Sequence, residues 1–270
     1  NIGALIYVID IETYEIIYAN NKCKEQFGDI VGKPCYKALQ KNQNSPCETC
    51  PLNRQKEPCE YNIGTTFEWE HKNSLNGRSY MFNATIIEWK DGRKVKVQIG
   101  MDITKQKEQE EKILKLAYLD TLTNIPNRDA LKIYLHKAIK KNSRSGSYGA
   151  LLFIDLDNFK LINDTKGHNV GDIVLVKTTN KIINSLREND LVARLGGDEF
   201  IVLADTNTTD SNEAAFATKT VAQKILDELN KPCVIDEYAF FISASIGIII
   251  FNDNNLSSDE LLKLADTAMY

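Results

Sequence analysis

The sequence predicts an α+β protein of two domains joined by a helix. Three observations predict it. The chain has 270 residues, more than the ~100–200 of one typical domain. Residues 1–104 read as strands with short helices, with hairpin signals at Asn76-Gly77 and Asp91-Gly92. Residues 120–270 alternate helices with strands, and 105–119 form a polar helical run between the two parts. At 43% hydrophobic and 26% charged, the composition is globular, which excludes a disordered or fibrous chain.

In the first part, strands are expected near Leu5–Ile9 and Glu15–Tyr18. A Cys-rich, Pro-punctuated stretch with short helices follows, then three strands. The alternation Val95, Val97, Ile99, Met101 predicts that these residues form the buried face of the last strand. Asp102 and Thr104 stand where a helix N-cap is wanted. The run 105–119 gathers its apolar residues Ile113, Leu114, Leu116 and Ala117 at its C-terminal end. A solvated connector and a dimeric coiled coil both stay open, with Gln106 and Glu110 at candidate core positions of the latter.

In the second part, a helix is expected over Asn127–Lys141 and a buried strand over Ala150–Leu156. One helix ending near Arg187, a hairpin around Gly196-Gly197 and a helix over Glu213–Leu229 come next. A single strand, Phe240–Ile250, and a helix from Ser257 complete it.

Before Thr104 there are 13 basic and 13 acidic residues, and the remaining 20 and 24 carry the whole net charge of −4. Neither part has the basic excess of a general nucleic-acid binder. If the second part handles phosphates, it must do so locally, with a metal. The apolar run Phe240–Phe251 is too short to span a bilayer. The chain opens without Met and stops inside an apolar helical pattern at Ala268-Met269-Tyr270. It reads as a fragment made of cytoplasmic domains, whose parent could carry a membrane segment upstream.

Two segments carry chemistry. In the hairpin Arg194-Leu195-Gly196-Gly197-Asp198-Glu199-Phe200, Gly-Gly suits a tight turn at positive φ and leaves the backbone open to a phosphate. Two carboxylates follow at once and repel each other unless a cation sits there. A solvated acidic turn is the bland alternative. The other segment, Phe153 to Lys160, places Asp155 at the end of an apolar strand, where a buried charge needs a partner. A Mg²⁺ ion shared by Asp155 and a hairpin acid would satisfy both.

These residues resemble a family. Asp155-x-Asp-x-Phe-Lys-x-x-Asn-Asp, Gly167-His168, Gly171-Asp172 and Arg-x-Gly-Gly-Asp-Glu-Phe are similar to the GGDEF domain of diguanylate cyclases. Asp120-x-Leu-Thr-Asn-Ile-Pro-Asn-Arg128 resembles its N-terminal signature. The resemblance implies a nucleotidyl-cyclase, palm-like sheet flanked by helices. It implies condensation of two GTP into cyclic di-GMP and two pyrophosphates by a homodimer, with Mg²⁺ or Mn²⁺. Asp155, Asp198 and Glu199 would be catalytic. The metal would be held by Asp155, the Leu156 backbone, Asp198 and Glu199. Asn163 and Asp172 would read guanine, and Asp172 favours GTP alone. The backbone of Asn158 and Phe159, with Lys160, would hold phosphates, and Gly196 and Gly197 would admit substrate. Arg187 and Asp190 would form the family's site of product inhibition; a surface ion pair is the bland reading. The family pattern continues past Tyr270 with basic phosphate-binding residues, so the fragment is expected to bind GTP poorly.

Residues 1–104 resemble a PAS sensor domain through Tyr18-Ala19-Asn20, Phe27-Gly28 and the ending Met101-Asp102-Ile103-Thr104. The clustered Cys35, Cys47, Cys50 and Cys59 have partial zinc or iron–sulfur spacing, and Cys23 is an alternative fourth ligand. Buried, inert thiols are the other reading. Three functions stand: an active cyclase, a silent receptor of GTP or cyclic di-GMP, and a metal or redox sensor.

Overall fold

The computed structural model describes residues 3–48, 50–53, 62–235, 238–252 and 256–269. The chain divides into two compact units, Asn1–Lys112 and Ile113–Tyr270, and the division falls inside the connecting helix.

In the first unit, β1 (Leu5–Asp10) and β2 (Ile16–Ala19) pair, and α1 (Asn21–Phe27) and α2 (Cys35–Ala38) follow. After a 3₁₀ turn at Pro51–Asn53 come β3 (Thr66–Lys72), β4 (Ser79–Glu88) and β5 (Lys94–Asp102). The five strands form one antiparallel sheet in the order β2-β1-β5-β4-β3. Asn20 locks its start: its side chain caps α1 through the Cys23 N–H at 3.0 Å and donates to the Ala4 carbonyl at 2.9 Å.

The last strand is turned over relative to the sequence expectation. Val95 is buried, but Ile99 and Met101 are exposed, while Lys96, Gln98 and Gly100 point inward. The reason is packing by the neighbouring strand. Gly100 sits opposite Phe82, and a Cβ there would run into the Phe82 ring. The register that seats this ring forces Lys96 and Gln98 to the same inner face.

Helix α3 (Thr104–Tyr118) starts after a turn in which the Asp102 carboxylate accepts from the Thr104 N–H at 3.0 Å. It has no buried residue, and Ile113, Leu114 and Leu116 are all exposed.

The second unit contains α4 (Arg128–Ser145), β6 (Gly149–Leu156), α5 (Phe159–Lys166), α6 (His168–Ser185), β7 (Leu191–Gly196) and β8 (Glu199–Asp205). Then come α7 (Ser211–Leu229), β9 (Cys233–Ile235), β10 (Tyr238–Phe240), β11 (Ala244–Phe251) and α8 (Ser258–Thr267). The main sheet is antiparallel in the order β11-β6-β8-β7, beside a β9-β10 pair. The helix expected to end near Arg187 is two helices, broken at Gly167 with φ 83°. The strand expected over Phe240–Ile250 is also divided, since β10 pairs with β9 and β11 with β6.

β6 is buried on both faces, which explains its unbroken apolar run. Leu152, Ile154 and Leu156 pack with Val174 and Ile182 of α6 and Ile225 of α7. Leu151 and Phe153 pack with Leu131 and Leu135 of α4 and Leu261 and Ala265 of α8. Asp155 belongs to this second face by alternation. α8 approaches β11 closely at Gly247, where a Cβ would run into the Ala265 carbonyl oxygen and meet the Met269 nitrogen at 2.7 Å. Gly247→Ala therefore pushes α8 off the sheet. Urea denaturation should show the second unit destabilised by about 1–3 kcal/mol.

Candidate active site

Strand register places the acids. Asp155, near the end of β6, is the cross-strand partner of Glu199, the first residue of β8. Asp198 lies in the turn before it, and its carbonyl accepts from the Leu156 N–H at 3.4 Å. All three side chains are half-buried. The turn is shifted by one residue from expectation: Gly196 pairs with Glu199 after a bulge, so Gly197-Asp198 connect the strands. Both glycines have positive φ, 148° and 53°.

The acids repel one another. Desolvation, then the charges of Asp198, Glu199, Asp157 and Asp266, push the Asp155 carboxyl up to about 6. Desolvation and then Asp266 also raise Glu199, against a lowering by Arg128. Asp266 and Arg128 were missed in the sequence reading. Asp266 is hidden in the apolar pattern of α8, and only the close seat at Gly247 brings that helix to the site. Arg128 stood in the signature segment, but its place beside Glu199 depends on where α4 begins.

Arg194 holds the turn from behind. Its Nη2 and Nε donate to the Gly197 carbonyl at 2.7 and 3.0 Å, and its Nη1 donates to Asp120 Oδ1 at 2.9 Å. Asp120 also accepts from the Thr123 N–H at 2.8 Å. The signature segment thereby braces the acidic turn. It also fixes the end of α3, because Asn127 caps α4 and donates to the Ala117 carbonyl at 2.9 Å.

On the neighbouring loop, Asn158 takes a left-handed φ of 57° and starts α5 without a side-chain cap. The first-turn N–H groups of a helix suit an anion. Lys160 is exposed one residue inside, after buried Phe159. Asn163 on α5 packs against Gly171 on α6: a Cβ at that glycine would run into Asn163 Oδ1, and exposed Asp172 is the next residue of α6. Gly171 is thus a further site residue, whose lack of a side chain makes room for Asn163. An open cleft lined by Asp155, Asp157, Asn158, Ser243, Ser245 and Met269 adjoins the acids.

Arg187 and Asp190 form a separate tight turn. Asp190 Oδ2 accepts from the Arg187 backbone N–H at 3.0 Å, and the Asp190 N–H donates to the Arg187 carbonyl at 3.0 Å. The bland surface ion pair is not what forms. The exposed guanidinium instead borders a small cleft with Asp205, Thr206 and Thr218.

Among the described residues, no group of three or more His, Cys, Asp or Glu side chains is drawn together as a metal cage. The donors Asp155, Asp198 and Glu199 are hard oxygens, which fit Mg²⁺, an ion usually bound by one or two carboxylates plus substrate phosphates. In the first unit, Cys35, Cys47 and Cys50 line one cavity. Cys59 lies outside the described residues, and Cys23 is buried, donating to the Ile6 carbonyl at 3.5 Å.

The second unit is a domain of mixed α/β content built on antiparallel sheets, with carboxylates at the end of the main sheet beside an uncapped helix N-terminus. The chain belongs to the GGDEF family: the family model described as diguanylate cyclase, GGDEF domain, matches residues 117–270. MucR of Pseudomonas aeruginosa, a bifunctional diguanylate cyclase/cyclic di-GMP phosphodiesterase, is 39% identical over 158 residues, 58% of this chain and 22% of MucR. The cyclic di-GMP phosphodiesterase PdeR of Escherichia coli is 29% identical over 259 residues, 93% of this chain and 37% of PdeR. The chain thus spans well under half of these relatives. The isolated GGDEF domain of TpbB from P. aeruginosa superposes with TM-score 0.52 at 37% identity, covering 57% of this chain and 87% of that one. The coiled coil and GGDEF domain of DgcB from Caulobacter crescentus, in complex with c-di-GMP, gives TM-score 0.55 at 26% identity, covering 62% and 86%. Among the described residues, no helix is long and apolar enough to cross a membrane.

The raised Asp155 carboxyl gives a stability test. Its folded pKa exceeds the ordinary carboxylate value of about 3.9, so its ionisation opposes folding. The cost is absent below the ordinary value, grows as pH rises between the two, and is complete above about 6. In metal-free buffer, Asp155→Asn should raise the melting temperature of the second unit at neutral pH. The gain should vanish under acid conditions, as followed by calorimetry against pH.

Proposed function

We propose that the chain is a diguanylate cyclase, joining two GTP into cyclic di-GMP with release of two pyrophosphates. The observation that carries this reading is the pairing of Asp155 with Glu199 at the sheet end, with Asp198 in the adjoining turn and the uncapped start of α5 two residues after Leu156. MucR, named a bifunctional cyclase and phosphodiesterase, and TpbB, named a diguanylate cyclase in P. aeruginosa, match over 158 and 155 residues of this chain. A silent receptor of GTP or cyclic di-GMP is the second reading. It is favoured by PdeR, named for phosphodiesterase activity and matched over nearly the whole chain.

In this mechanism, the Asn163 amide oxygen and the Asp172 carboxylate accept from the guanine N1–H and N2–H groups. The N–H groups of Asn158 and Phe159, with the Lys160 ammonium, hold the β- and γ-phosphates. Gly196 and Gly197 leave the turn backbone open to the substrate. Glu199 lies nearest the 3′-OH and accepts its proton as that oxygen attacks the α-phosphorus of the second GTP. Asp155, the Leu156 carbonyl, Asp198 and Glu199 would hold Mg²⁺ or Mn²⁺, which supplies charge neutralisation at the phosphates.

Each protomer holds one GTP, so turnover needs two chains facing each other. The exposed Ile113, Leu114 and Leu116 support α3 as the dimer contact. The first unit acts as a PAS-like sensor controlling that arrangement. Its antiparallel sheet and the Asp102–Thr104 hydrogen bond at the start of α3 support this reading. Product inhibition is assigned to Arg187, whose guanidinium can grip a guanine edge, and to Asp190.

The test is cyclic di-GMP formation from GTP and Mg²⁺, followed by chromatography. Glu199→Gln should cut the rate by about 10²–10⁴ with folding unchanged. Arg187→Ala should raise the plateau of product. A wild-type chain that binds GTP but forms no product would establish the receptor reading instead.

A further inference from the structure

The inverted β5 places a charge where none is expected. Lys96 is 2% exposed and Gln98 is 3% exposed, both on the inner face of the first unit's sheet. They line a cavity of about 50 Å³ together with Tyr7, Cys50, Trp69 and Phe82. That is more room than one water needs, and too little for a nucleotide or a haem.

An ammonium removed from water needs an anionic partner. Among the described residues no carboxylate pairs with Lys96. Its neighbours are the Cys50 sulfur at 3.9 Å and the Trp69 ring at 5.3 Å from its centroid. A neutral thiol is a weak acceptor, and a ring face compensates only part of the lost hydration. Gln98 provides a second, independent sign. Its Nε2 donates to Tyr7 Oη at 2.6 Å, and its buried Oε1 has no partner. A buried acceptor without a donor is costly. The cavity therefore offers a cation and an unused acceptor from β5, among apolar and aromatic surface, three cysteines and the polar Gln40, His71 and Asn73.

We propose that this cavity binds a short hydroxycarboxylate of glycolate size. The carboxylate takes the Lys96 ammonium, and the hydroxyl donates to Gln98 Oε1. The proposal builds on the sensor reading of the first unit and names its ligand class. Its readout does not depend on cyclase turnover, so the two can fail separately.

The experiment is isothermal titration of the full 270-residue chain with glycolate, acetate and glycolamide at matched ionic strength. Glycolate should bind saturably. Acetate, lacking the hydroxyl, and glycolamide, lacking the charge, should each bind about tenfold more weakly, as one charge-assisted or buried hydrogen bond requires. Lys96→Met should lose binding. If that variant does not fold, Gln98→Leu is used, and it should bind glycolate and acetate equally. Absence of saturable glycolate binding overturns the proposal. So does equal binding of glycolate and glycolamide, or glycolate affinity retained in Lys96→Met.

Discussion

Asp155 and Glu199 face each other across β6 and β8, with Asp198 in the adjoining turn and Asp266 brought in by α8. Strand register makes this crowding unavoidable, because the same register buries Phe153 and Ile201 in the core behind the acids. Sliding the pair to separate the charges would turn the apolar residues out of both cores. The hydrophobic packing of the second unit thus holds carboxylates together that would otherwise move apart. Such a site is short of positive charge, which, under the proposed function, a divalent cation carried in with a triphosphate would supply.

The rest of the second unit braces that end of the sheet. Arg194 grips the Gly197 carbonyl on one side and Asp120 on the other. Asn127 connects the same segment to the last turn of α3. A continuous hydrogen-bonded path therefore runs from the end of the connecting helix to the turn that carries Asp198. Gly171 and Gly247 act through the side chain they lack, one admitting Asn163 and the other admitting α8.

The sequence showed these parts unequally. Local patterns disclosed most elements: β6 by its apolar run, the β7-β8 hairpin by Gly196-Gly197, and the acids by their motif. Asp266 and Arg128 were not legible, because their roles come from helix placement and not from neighbours in the chain. The division of Phe240–Ile250 depended on strand pairing, which no local signal carries. β5 misled most: Val97, Ile99 and Met101 alternate as a buried face should, yet Phe82 over Gly100 selects the opposite face. Alternation gives the period of a strand and not which side meets the core. The error is informative, since it leaves Lys96 without a carboxylate partner among the described residues and Gln98 Oε1 without a donor, both on one cavity.

The central claim is that the crowded acids of the second unit take their cation together with a nucleotide. The most direct measurement is Mn²⁺ binding to the full chain by electron paramagnetic resonance, with and without a non-reactive GTP analogue. The account predicts weak Mn²⁺ binding alone and strong binding with the analogue, with the gain lost in Asp155→Asn. Tight Mn²⁺ binding without nucleotide, or a gain that survives Asp155→Asn, would contradict it.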